Sequence, residues 1–167
     1  LMEITYALGE QMLMLAGAAH EPKDARKQLE HAIRSGAALE KFGEIISAQG
    51  GDPHVLENPA RLPQARRQVA VASVRDGYVT EVDAMGVALA ALHLGAGRSR
   101  AEDRVDPAVG VSSLVKVGES VSVGQALCVV HANDEAALAQ AQARLLDAVV
   151  IGDHRPAPRP LIAGLIG

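Results

Sequence analysis

The spacing of apolar residues changes from a helical to an alternating pattern along this chain, and that change predicts two structural regions. Up to Gly51, apolar residues recur every three or four positions, as on one face of a helix. From Val69 onward they alternate or form short runs bounded by glycine, as in strands. Residues 52–63 follow neither period and are rich in proline. We therefore predict an α+β chain with a helical segment at 1–56, a linker at 57–66 and an α+β module at 67–167.

The helical segment is expected to contain three helices, of which the first is the most apolar. Its main apolar face consists of Leu1, Ile4, Leu8, Met12 and Leu15, and only a thin polar stripe remains, formed by Glu3, Glu10 and Gln11. A helix so apolar is expected to be buried against other helices or against a second chain. The pattern is already under way at residue 1, with no capping residue before it. We therefore expect the chain to be the C-terminal part of a longer protein.

The module is expected to begin with a β-hairpin and a helix. Residues 69–74 and 78–82 read as strands joined by a type I′ turn at Asp76-Gly77. Asp83 then caps a helix that runs to about Leu94. The residues expected to face inward on that helix are Met85, Ala88, Leu89 and Leu92.

The rest of the module reads as short strands and one further helix. Strands are predicted at 111–117, 121–123, 126–132 and 149–151. Asn133 or Asp134 is expected to cap the helix, which ends near Asp147. Its inward residues should be Leu138, Ala141 and Leu145.

Composition excludes several classes of function. The net charge of −4 argues against a general nucleic-acid binder. Aromatic residues are only 2 % of the chain, too few for base-stacking platforms. No uncharged run is longer than 84–97, and a run of that length is too short to cross a membrane. Cys128 is the only cysteine, and the six histidines lack metal-site spacing, so neither an internal disulfide nor a metal site is expected. No cofactor is expected either, since the few aromatic residues could hardly line a pocket for one.

The glycine- and arginine-bearing segment after the predicted helix is the one candidate site. It contains Gly95, Gly97, Arg98 and Arg100, followed by an acidic cluster. It is either a solvated loop with local ion pairs or a loop that faces a phosphate or closes a domain. It lacks the third glycine of the dinucleotide fingerprint and follows a helix, not a strand. No stretch of the chain carries a recognisable catalytic motif, so no catalytic residue is assigned.

Two stretches of the module resemble the sandwich of biotinyl and lipoyl carrier domains, a barrel-sandwich hybrid. They are residues 76–79 and 115–127, with paired turns at Gly118 and Gly124. A carrier needs a modified lysine in a later hairpin, yet Lys116 is the last lysine in the sequence. The fold is therefore retained as an expectation, and a binding or assembly module without catalysis remains the alternative function.

Nearly the whole chain resembles the C-terminal part of a pyrimidine-nucleoside phosphorylase or thymidine phosphorylase. The segments that carry the resemblance are 4–13, 32–38, Phe42, 48–52, 76–79, 94–98, 103–110 and 117–131. The combination of Gly-Ala-Gly-Arg with the later Asp-x-x-Asp-x-Ala-Val-Gly is fairly specific to this family.

The resemblance implies a homodimeric, cytoplasmic enzyme of nucleoside salvage without a cofactor. Such an enzyme cleaves a pyrimidine nucleoside or deoxynucleoside with phosphate, giving the base and a pentose 1-phosphate. The family's phosphate loop and its base-binding arginine, serine and lysine match no stretch of this chain. We therefore expect this portion alone to be inactive and structural, with residues 95–110 facing the substrate cleft.

Overall fold

The computed structural model describes residues 1–98 and 100–164 and is an α+β fold, as predicted. The described residues contain five α-helices, a π-helical turn at Leu92–Ala96 and two short 3₁₀ turns. The helices are α1 (Met2–Leu15), α2 (Pro22–Arg34), α3 (Ala37–Ala48), α4 (Ala84–Ala91) and α5 (Glu135–Ala148). The strands are β1 (Arg67–Ala72), β2 (Gly77–Val82), β3 (Gly110–Ser112), β4 (Ser120–Val121), β5 (Ala126–Ala132) and β6 (Val149–Gly152).

The chain forms two compact units. The first, called the helical unit below, comprises Leu1–Arg61 together with the segment that begins at Arg159. The second, called the α+β unit, comprises Leu62–Pro158. No helix among the described residues is long and apolar enough to cross a membrane.

In the helical unit, α1 approaches α2 closely because Gly9 has no side chain. A Cβ at Gly9 would lie only 2.8 Å from Leu29 Cδ1. On the same side, Arg26 donates hydrogen bonds to Glu3 at 2.6 Å and to Glu10 at 2.9 Å. Its guanidinium also lies 4.4 Å from the centre of the Tyr6 ring, a cation–π distance.

The apolar face of α1 is exposed, so the helices of this chain do not bury it. Leu8 is 63 % exposed, and Leu1, Met12 and Leu15 are more so. The thin polar stripe faces α2 instead, since two of its members, Glu3 and Glu10, bind Arg26. Sequence periodicity identified the face correctly but could not show which side α2 would occupy. Burial against helices outside this chain, or against a second chain, stays a prediction.

The α+β unit contains two three-stranded antiparallel sheets, ordered β1-β5-β3 and β4-β2-β6. The predicted β1–β2 hairpin is therefore wrong, because the two strands belong to different sheets. A type I′ turn needs a positive φ at both central residues, and Asp76 is not among the residues with positive φ. Its carboxylate instead accepts a hydrogen bond from the Val123 amide at 2.8 Å.

Two apolar clusters form the core of this unit, and β5 contributes to both. The larger cluster joins one face of β5 to α4 and α5 and includes Val130 and Leu145, both fully buried. The smaller one contains Val79, Val121 and Leu127. Because successive residues of a strand point to opposite faces, Leu127 and Cys128 enter different clusters. The sheets form no closed barrel among the described strands.

Helix α5 agrees with its prediction, whereas α4 is capped by Asp83 as predicted but buries other residues than predicted. The Asp134 carboxylate accepts a hydrogen bond from the Ala137 amide at 2.8 Å, and the predicted inward residues are buried. In α4, Met85 is 66 % exposed and Ala88 is exposed, while Gly86 and Ala90 are buried. Helix α4 is apolar on every side, so its sequence pattern does not define a buried face.

Strand lengths also differ from their predictions. The strand predicted at 111–117 is short, since β3 ends at Ser112, and the one predicted at 121–123 is the two-residue β4. Strands β5 and β6 lie where they were predicted.

Candidate ligand-facing loop

The candidate loop connects the end of α4 to β3. Helix α4 passes into the π-helical turn, where Gly95 has φ of 101°, a conformation that favours glycine and ends the helix. Gly97 allows a close return of the chain, because a Cβ there would lie 2.8 Å from Leu92 Cδ1. The loop then runs to Gly110, where β3 begins.

The structure places Gly95, Gly97, Arg98 and Arg100 in this one loop, with both arginines exposed. Within it, the Arg100 amide donates to Asp103 Oδ2 at 2.8 Å, and the Asp103 amide donates to the Arg100 carbonyl at 3.1 Å. This local turn involves the backbone of Arg100. Ser99, which stands between the two arginines, lies outside the described residues.

Asp106 closes the base of the loop. Its amide donates to the Gly95 carbonyl at 2.9 Å, so the two ends of the segment 95–106 meet. Its Oδ1 accepts from the Ala108 amide at 2.9 Å, and its Oδ2 accepts from Asn133 Nδ2 at 2.7 Å. The Ala108 amide, followed by the Asn133 side chain, holds the pKa of the Asp106 carboxyl below its usual value.

Asn133 is the residue of this site that sequence reasoning missed. Asn133 and Asp134 appeared as alternative caps of one helix, but the structure gives them different roles. Asp134 caps α5, while Asn133 reaches back to Asp106. The adjacent pair of capping-type residues is the signal that could have suggested a second role.

The α+β unit has other polar features besides this loop. One open groove between α4 and α5 is lined by residues that include Asp83, His93 and Arg144. Cys128 is 1 % exposed, and burial raises the pKa of its thiol, which suits a packing role. The described residues contain no cluster of three or more histidine, cysteine or acidic residues placed to hold a metal ion.

Comparison with known proteins identifies the family that the chain resembles. Residues 78–152 match the family described as the pyrimidine nucleoside phosphorylase C-terminal domain. The pyrimidine-nucleoside phosphorylase of Staphylococcus aureus strain USA300 is 40 % identical over 158 residues, which are 95 % of this chain and 36 % of that relative. The protein of the same name from strain NCTC 8325 / PS 47 gives the same values.

This chain thus spans about a third of the length of the curated relatives that it matches. The matched family region contains the candidate loop from Gly95 to Gly110. The resemblance predicted from the sequence motifs is confirmed: over nearly its whole length, this chain is similar to the C-terminal portion of a pyrimidine-nucleoside phosphorylase.

Proposed function

We propose that this chain is the C-terminal portion of a pyrimidine-nucleoside phosphorylase, in which it supports the fold and supplies a loop that closes over the bound substrates. The whole enzyme cleaves pyrimidine nucleosides or deoxynucleosides with phosphate, giving the base and a pentose 1-phosphate in nucleoside salvage. The observation that carries the proposal is the 40 % identity over 95 % of this chain to a protein of that name. In this proposal, the catalytic residues of the enzyme lie in the part of its sequence that has no counterpart in this chain.

The chemistry of phosphorolysis explains what a loop like this can contribute. The phosphate anion must be held beside the anomeric carbon while positive charge develops on the sugar. An arginine guanidinium can bind phosphate through two parallel hydrogen bonds. Arg98 and Arg100 are exposed, while Asp106 fixes the base of the loop. Closure would bring the guanidinium groups to the anion and exclude water from the cleft.

The proposal also covers domain organisation and assembly. Residues 1–56 belong to the larger α/β portion of the enzyme, 57–66 are the linker, and 67–167 are the C-terminal module with a carrier-like sandwich. The division into compact units at Arg61/Leu62 supports the boundary that precedes the module, whereas the segment from Arg159 groups with the helical unit. The contribution of β5 to both apolar clusters supports the sandwich. The enzyme is a cytoplasmic homodimer in this proposal, and the exposed apolar face of α1 supports its association.

A chimaera tests the proposed function. The matching C-terminal portion of the Staphylococcus aureus relative is replaced by this chain, and phosphorolysis of thymidine and uridine is measured. We expect turnover from the chimaera and none from the 167-residue chain alone. A folded but inactive chimaera would favour the alternative, a binding or assembly module.

The loop is tested in the same chimaera by Arg98→Ala. We expect the KM for phosphate to rise, or kcat to fall, on the order of tenfold, because a charge-assisted contact is lost. Arg75→Ala is the matched control, since Arg75 forms an ion pair with Asp153 elsewhere in the α+β unit. Unchanged kinetics in Arg98→Ala would contradict a role for this loop in closing over substrate.

A further inference from the structure

The base of the candidate loop depends on two side chains that are distant in sequence. Asp106 meets Gly95 through its backbone and meets Asn133 through its carboxylate. Asn133 uses both ends of its amide, because its Nδ2 donates to Asp106 while its Oδ1 accepts from the Arg66 amide at 2.8 Å. One asparagine therefore connects the end of the loop, the junction of β5 with α5 and the residue that precedes β1.

The two side chains are chemically complementary at this point. Ionised Asp106 offers only acceptors, and it receives one N–H from the Ala108 backbone and one from Asn133. Asn133 provides the donor and acceptor that its two neighbours need. Hydrogen bonds to a charged group are among the stronger ones in proteins. The arrangement fixes the outgoing end of the loop against the sheet.

We propose that Asp106 and Asn133 are positioning residues that act as a clasp, holding the ends of the 95–106 segment together and against β5. The clasp joins the two ends of the segment that carries Arg98 and Arg100. Its importance for turnover rests on the proposed function, whereas its effect on the loop ends does not. Neither residue is given a contact with substrate.

Exchanging the two side chains tests the clasp directly. Asn133→Asp retains the acceptor for the Arg66 amide but places a second carboxylate beside Asp106, so the two repel. Asp106→Asn retains the acceptor for Ala108 but places an amide beside the donor of Asn133. In the double variant Asp106→Asn/Asn133→Asp, the amide and the carboxylate are restored in opposite positions. That variant has the same net charge as the original protein.

The measurement is amide hydrogen exchange by NMR on the ¹⁵N-labelled 167-residue chain. We expect exchange at the backbone amides of residues 106 and 108 to accelerate on the order of tenfold in each single variant. In the double variant, exchange should return to the rate of the original protein. The Val79 amide donates a hydrogen bond to the Glu119 carbonyl, and Val79 belongs to the smaller apolar cluster. Its exchange rate therefore shows whether a substitution destabilises the whole α+β unit. Asp153→Asn serves as the matched control, since Asp153 pairs with Arg75.

Two results would overturn the clasp: unchanged exchange at Asp106 and Ala108 in Asn133→Asp, or a double variant that fails to recover. If Val79 exchange also rises in a single variant, that variant destabilises the whole unit. Recovery of exchange at residues 106 and 108 in the double variant would then still support the clasp, and its failure would refute it. The same variants in the chimaera separate this proposal from the proposed function. An Arg98→Ala chimaera with normal kinetics would refute substrate closure, while the exchange data would still decide the clasp.

Discussion

The helical unit and the α+β unit use their apolar residues in opposite ways. In the helical unit, α1 and α3 contain no buried residue, and large apolar side chains such as Leu8 and Phe42 are exposed. In the α+β unit, Val79, Leu127 and Leu145 are almost completely buried. Helix α1 meets α2 through Gly9 and through ion pairs with Arg26 instead. A periodic apolar pattern thus predicts a helix face but not whether the chain itself covers that face.

The largest expected difference between the units comes from one matched pair of substitutions. Leu145→Ala removes a fully buried side chain and should lower the free energy of unfolding by about 2–5 kcal/mol. Leu8→Ala removes one that is 63 % exposed and, at dilutions where the chain is monomeric, should change it by no more than about 0.5 kcal/mol. Urea unfolding followed through NMR signals of α5 and α1 measures both values. A large, concentration-dependent loss in Leu8→Ala would instead show that a second copy covers α1.

An effect of intermediate size is expected at the two ends of α5. Asp134→Ala removes the side chain that accepts from the Ala137 amide and should cost about 1 kcal/mol of stability. Asp147→Ala removes a negative charge near the C-terminal end of the same helix, where the helix dipole disfavours it. That control should leave stability unchanged or slightly raised when measured by urea unfolding. Equal losses at both positions would argue against the cap as the cause.

The smallest expected effect is a difference between the units in how salt changes the pKa of a carboxyl group. Hydrogen bonding to Arg26 lowers the pKa of Glu3, whereas the Ala108 amide and Asn133 lower that of Asp106. Each carboxylate therefore stabilises the folded chain fully at pH values above its ordinary pKa, which is 4.5 for Glu3 and 3.8 for Asp106. This stabilisation is lost as the pH falls through the lowered pKa of the folded state. Because salt screens exposed charge pairs, added salt should raise the pKa of Glu3 more than that of Asp106. Carboxyl ¹³C titrations at low and high salt measure both; equal responses would contradict the assignment of partners.

The sequence predicted those features that depend on residues close together in the chain. Helix α5 has one apolar face and a capping aspartate, so its bounds and its buried residues could be predicted. Helix α4 is apolar all round, and its buried face is set by contact with α5 and β5, which no local pattern records. The pairing of β1 with β5, and the bond from Asn133 to Asp106, join segments distant in sequence. The loop could be predicted from its glycines, but the residues that close it could not.

The central position of β5 has a consequence for how the chain is made. Strand β1 pairs with β5, and β3 pairs with β5, but β2, α4, β3 and β4 all precede β5 in the chain. During synthesis from the N-terminus, β1 therefore cannot pair with β5 until most of the α+β unit has left the ribosome. The contacts of α1 with α2 are close in sequence and can form early. A ribosome that pauses before β5 would leave an open strand edge exposed to self-association.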